Sequence, residues 1–211
     1  MEWSKLSDKK NSFIKRDVIL SNTISAAFSQ AIVYRVYKEK PEKQSRRQWG
    51  EQKEKFRENI ENCLVEIAEK YDPVNNNHSE RILNFKEKIE NDATNSSVLK
   101  DGKISFGRAQ KLVNMYLKYL WCLGKFDIPP HCPIDRGILG EIGLEDPPWT
   151  SPKFTKEKYE EVINRCEKIA YPLPLSVWEL FLWRRNSLMS VNNSGRKKSE
   201  KDLQVKIKEN I

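Results

Sequence analysis

Three observations predict an all-α fold. Nearly every apolar pattern in the chain repeats at helical rather than alternating spacing, only 8 glycines punctuate 211 residues, and the strand signal is weak throughout. One compact multi-helix domain is expected over residues 1–190, with a basic tail over 191–211.

The first helix is predicted from about Asp17 to Tyr37, where Val18, Ser25, Ala26, Ile32 and Val33 form a small-residue face suited to close packing. A charged break from Pro41 to Arg47 separates it from a second helix, about Arg47 to Tyr71. Trp49, Phe56, Ile60, Cys63, Leu64 and Ile67 share one side of that helix, and Asp72-Pro73 ends it. Asn75–Asn77 reads as a loop, and Ser79 with Glu80 as the N-terminus of a helix reaching about Ile89. The segment Asn91 to Lys103 is polar and aperiodic, which predicts a surface loop beside a site.

The next helix, Phe106 to Leu123, carries the sharpest pattern. Leu112, Val113, Tyr116, Leu117, Tyr119, Leu120 and Leu123 make a broad apolar face, and Gln110, Lys111, Asn114 and Lys118 gather into a narrow polar stripe expected to stay open. Three prolines between Gly124 and Pro133 preclude a helix there, and Asp135 stands where an N-cap belongs, ahead of a short helix to about Glu141. The loop Pro147-Pro148-Trp149-Thr150 is expected to anchor by its indole. Two further helices follow, about Thr155 to Ala170 with Thr155 as cap, and about Pro174 to Arg185 with proline in its opening turn. Trp178, Leu182 and Trp183 give the last helix an aromatic face, read as core packing ahead of base stacking. From Val191 the chain turns to Asn-Asn-Ser-Gly and then Arg196, Lys197, Lys198, Lys201, Lys206 and Lys208, a disordered or weakly helical basic appendage.

Net charge is +8 and the isoelectric point about 9.2, which favours polyanionic partners, DNA ahead of RNA; a protein partner stays open. The polar, charged N-terminus and the lack of an apolar run of about 20 residues predict a cytoplasmic protein without a membrane span. Cys63, Cys122, Cys132 and Cys166 lie far apart with no Cys-x-x-Cys pair, so reduced thiols and no metal are expected. There is no P-loop, Rossmann glycine motif, His-Glu-x-x-His pair or Gly-x-Ser-x-Gly elbow, and no Arg followed at four to six residues by His as in some helical ribonucleases. Nucleotide and zinc hydrolysis are therefore disfavoured, and no cofactor is expected.

The order of turn, helix with a lysine, Pro-containing loop and Asp at the next helix start resembles the helix-hairpin-helix base-excision DNA glycosylase superfamily. Gly102-Lys103-Ile104-Ser105-Phe106-Gly107 stands for the hairpin, Lys111 or Lys118 for the nucleophile, and Cys132-Pro133-Ile134-Asp135-Arg136 for the segment bearing the acid. The resemblance implies removal of a modified or mismatched base, with Lys111 or Lys118 and Asp135 at the sugar. Gly107, Arg108, Gln110, Asn114, Trp121, His131 and Arg136 are then the expected nucleic-acid contacts, His131 as a proton carrier and Arg136 on a phosphate. The chemistry agrees with the residue types: a carboxylate stabilises positive charge developing on the sugar, and an amine attacks C1′. The bland readings are that Asp135 only caps its helix and the lysines are solvated. The alternative function is a non-catalytic helical nucleic-acid-binding or protein-interaction module, as in a bacterial stress or phage-defence system.

Overall fold

The computed structural model describes residues 3–17, 23–32, 36–72, 77–144 and 146–182. They form helices α1 (Trp3–Asp17), α2 (Thr23–Ala31), α3 (Arg46–Glu69), α4 (His78–Asn91), α5 (Ala93–Val98), α6 (Phe106–Cys122), α7 (Arg136–Glu141) and α8 (Lys156–Ala170). A ninth, α9, covers residues 175–182. Among the described residues there is no strand, and the sole extended pairing is one bridge between Tyr37 and Leu99. The basic tail lies outside the described residues, as does Trp183.

Helix α6 is the axis of the molecule. Every residue of it except Arg108 and Leu120 is buried, and α1, α2, α3 and α4 all pack on it. Its ends follow from local sequence. The Ser105 side chain accepts the Arg108 N–H, and Gly124, at φ 73°, turns the chain so that Gly124 and Lys125 donate to the Trp121 and Leu120 carbonyls. Of the expected small-residue face, Ala26 and Ile32 lie in the core together with Ala27 and Ala31 of α2, while Val18 and Val33 fall outside the described residues.

The N-terminal third departs from expectation. Of the single helix expected over 17–37, the described residues hold α2 (Thr23–Ala31), and the charged segment before it is itself a helix, α1, held by Leu6 and Phe13 in the core. Phe13 stacks on Tyr119 of α6 with centroids 5.1 Å apart. The segment expected to be an irregular loop contains α5, capped by Asp92 through the Asn95 N–H, and a 3-10 turn over Lys100–Gly102. Asn77, one of the residues read as loop, is the cap of α4. Ser79, expected as that cap, is buried and donates to Glu160 at 2.6 Å. The cap geometry of α7 and α8 is as read, with Asp135 and Thr155 at the two N-caps. No helix among the described residues is long and apolar enough to cross a membrane.

Candidate functional site

The polar stripe of α6 points inward, against the expectation that it stays open. Gln110 Nε2 donates to the Ile134 carbonyl at 2.6 Å, and the Ile134 N–H donates back to Oε1 at 3.1 Å. The amide thus substitutes for a second backbone strand beside a loop whose prolines cannot build one. Asn114 Nδ2 reaches the Cys132 carbonyl at 3.1 Å, Gln110 Oε1 at 3.0 Å and the Tyr159 hydroxyl at 2.9 Å. Because the Cys132 carbonyl only accepts, the amide nitrogen must face it and Oδ1 must face His78. His78 Nε2–H then donates to Oδ1 at 2.7 Å. Gln110 and Asn114 are fully buried, and their amides are committed to the loop and to α4 and α8. Direct contact with nucleic acid is corrected to an internal bracing role for both.

His131 continues this network. Its Nδ1 lies 2.9 Å from the Tyr159 hydroxyl, and its ring meets His78 edge to face at 4.7 Å. Burial lowers the His78 pKa to about 4, outweighing the bond to Asn114. Burial and the neighbouring His78 lower His131 to about 3. Both imidazoles are neutral near pH 7, and Tyr159 donates to His131. Ser176 Oγ lies 2.8 Å from the Pro129 carbonyl and 3.0 Å from that of His131, which ties α9 to the same loop.

The braced loop delivers Asp135. One carboxylate oxygen, Oδ1, accepts the N–H groups of Gly137 at 2.9 Å and Ile138 at 3.2 Å, capping α7. The other, Oδ2, pairs with Lys111 Nζ at 3.0 Å. The Trp149 ring covers the amine, its centroid 4.8 Å from Nζ. The Lys111 side chain is 9% exposed and that of Asp135 39%, so the acid faces solvent and the amine sits behind it. Capping and pairing coexist in one side chain.

Lys118 is elsewhere. Its side chain is 1% exposed and paired with Glu179 of α9, beneath the Phe13 ring at 4.3 Å. Burial raises the Glu179 pKa, and the charge of Lys118 opposes that rise. A lysine enclosed in this way has no approach for a sugar, which removes it from the pair of candidate nucleophiles. Trp121 is also buried, with the Lys10 amine 4.5 Å from its ring centroid, so it offers no open face for a base. Arg136 is exposed beside Asp135. Arg108 is half-buried, and Nη1 reaches the Thr150 carbonyl at 3.3 Å.

Gly107 serves packing. A Cβ there would lie 1.6 Å from the Trp149 carbonyl oxygen, so only glycine lets the tryptophan loop cross the first turn of α6. Gly107→Ala is expected to destabilise the fold by about 1–3 kcal/mol through overpacking, more than alanine's helix propensity of about 1 kcal/mol returns. It should also red-shift tryptophan emission as Trp149 lifts; unchanged urea unfolding and emission would contradict the contact.

No group of three His, Cys, Asp or Glu side chains suited to a metal occurs among the described residues. All four cysteines are free and buried. Burial pushes the Cys122 thiol up to about 11 and Cys166 to about 12, far from thiolate reactivity. Sequence reasoning missed His78, Tyr159 and Glu179. A signal existed for Glu179, the single acid in the apolar run Leu175–Leu182; none marked the other two. Comparison with models of known protein families, with curated protein sequences and with solved structures returned no match.

Proposed function

We propose that this chain acts on DNA in the manner of a base-excision glycosylase, with Lys111 as nucleophile and Asp135 as the acid at the sugar. The observation that carries the reading is the ion pair: a lysine from α6 and the acid that caps α7, 3.0 Å apart, with the acid facing solvent. Loss of a base leaves positive charge on the sugar ring, and a carboxylate fixed by two backbone N–H groups is preorganised to face it. The Lys111 nitrogen forms a bond to C1′ as the glycosidic C–N bond breaks. Asp135 Oδ2 first takes one ammonium proton and frees the nitrogen lone pair for this attack, the electron pair of the broken bond leaves with the base, that proton passes on to the base, and the positive charge stays on the lysine nitrogen. Substrate reaches the amine by displacing the Trp149 indole. The excess of lysine and arginine supports affinity for the phosphate backbone.

The test is base release and borohydride trapping on duplexes that each carry one modified or mismatched base. Native protein is expected to form a covalent adduct that Lys111→Ala abolishes. Asp135→Asn, which retains a capping side chain, is expected to lower turnover by about 100-fold or more while the fold persists. Duplex binding without base release on any member of the panel would overturn the catalytic reading and leave a non-catalytic binding module.

A further inference from the structure

Away from the Lys111–Asp135 pair, a groove of about 600 Å³ opens between α4 and the N-terminal ends of α6 and α8. Its size is that of a small-molecule site. Its accessible apolar lining is Leu83 and Pro152, in front of Ile104, Phe106 and Phe154, which are buried. Around the rim stand five cations and three acids, and Lys86 and Lys156 are already matched to Glu90 and Glu80. Lys100, Lys103 and Arg108 form no ion pair among the described residues.

Arg108 is the informative member. Its Nη1 bonds Ser105 Oγ and the Thr150 carbonyl, both neutral. Its Nε is buried without any acceptor, and burial pulls the guanidinium pKa down with no anion to oppose it. A buried donor left unmatched costs free energy and is rare in folded proteins. An oxyanion at the rim supplies the charge partner that the guanidinium lacks and meets the positive ends of two helix dipoles, at Ser105 and Thr155. A bare anion leaves Leu83 and Pro152 uncovered.

We propose that this groove binds a nucleoside phosphate, its phosphoryl group on Arg108 and Lys103 and its ring system against Leu83 and Pro152. The site stands on the groove alone and does not depend on the Lys111–Asp135 chemistry. The shared ligand chemistry is a phosphate joined to a planar, weakly polar ring, found both in free nucleotides and at the phosphorylated end of a strand.

Calorimetric titration of the full chain with deoxyadenosine monophosphate, deoxyadenosine, inorganic phosphate and a 5′-phosphorylated dinucleotide tests it. The monophosphate is expected to saturate one site and to bind at least about tenfold tighter than the nucleoside or inorganic phosphate, since a charge-assisted hydrogen bond and ring burial are each worth a factor of that order. Arg108→Gln is expected to weaken it by about tenfold or more. Because Arg108 also holds Thr150, Lys103→Glu at the exposed rim provides a second variant with the same expected loss and no change in unfolding. A dinucleotide that binds more tightly than the monophosphate assigns the groove to strand ends, and one that binds more weakly assigns it to free nucleotides; both support the site. Equal affinity for nucleoside and nucleotide, no effect of Lys103→Glu, or no saturation by any probe at millimolar concentration would overturn it. Mononucleotide binding involves no base release, so its failure leaves the glycosylase test unaffected.

Discussion

Replacing Lys118 with methionine is expected to destabilise the protein by about 3–5 kcal/mol, the range for removing one member of a buried ion pair. The side chain is 1% exposed and meets Glu179 on one side and the Phe13 ring on the other. Methionine fills the same volume, so the loss comes from a carboxylate stranded in a dry interior. Glu179 already has a raised pKa from burial, with Lys118 the main opposing charge. In Lys118→Met it must either ionise unpaired or bind a proton, and both oppose folding. The double variant Lys118→Met/Glu179→Leu removes the charge along with its partner and is expected to recover most of the loss, since apolar replacements of buried pairs are often neutral. Urea unfolding followed by circular dichroism measures all three. A single-variant loss below about 1 kcal/mol, or a double variant as unstable as the two singles summed, would show that the pair is not enclosed.

Acid is the second large perturbation. His78 and His131 have folded-state pKa values of about 4 and about 3, against an ordinary 6.5. Between those limits the unfolded chain binds more protons than the native one, so stability falls as pH falls. The decline begins near pH 6.5, with a slope approaching about 1.4 kcal/mol per pH unit for each histidine, and amounts to about 3 kcal/mol for His78 alone by pH 4. Stability from these groups is fully present above pH 6.5. Unfolding free energies measured from pH 7.5 to 4.5 are expected to show this slope, and His78→Gln/His131→Gln to flatten it, at lower overall stability. A native profile flat across that range would mean the imidazoles are not held neutral in the interior.

Helices α6, α7 and α8 were legible because their signals are local: a capping side chain, helical apolar spacing and a glycine or proline stop lie within one segment. Helix α1 was not, because it carries only a thin apolar stripe, anchored by Leu6 and Phe13, in a charged background. Asp135 could be found from its cap position alone. Choosing between Lys111 and Lys118 could not be done locally, since the partner of Lys118 is 61 residues away. The same holds for Asn114, whose partners His78 and Tyr159 are 36 and 45 residues distant. Amphipathic reasoning assigns polar residues to solvent, and it fails where polar side chains from remote segments arrive to match them.

The bracing of the 129–135 loop has a consequence for how the molecule comes apart. Four stretches of chain, from α4, the loop, α8 and α9, meet on one stripe of α6, and each supplies a group that another leaves unsatisfied when alone. Detaching α9 would at once expose Lys118 and release the Pro129 and His131 carbonyls, with the slackening passing through Tyr159 to His78. Such an interior has no weak seam along which a stable fragment separates. It is a cooperative lock, and trimming the chain before residue 182 removes a member of it rather than an ornament.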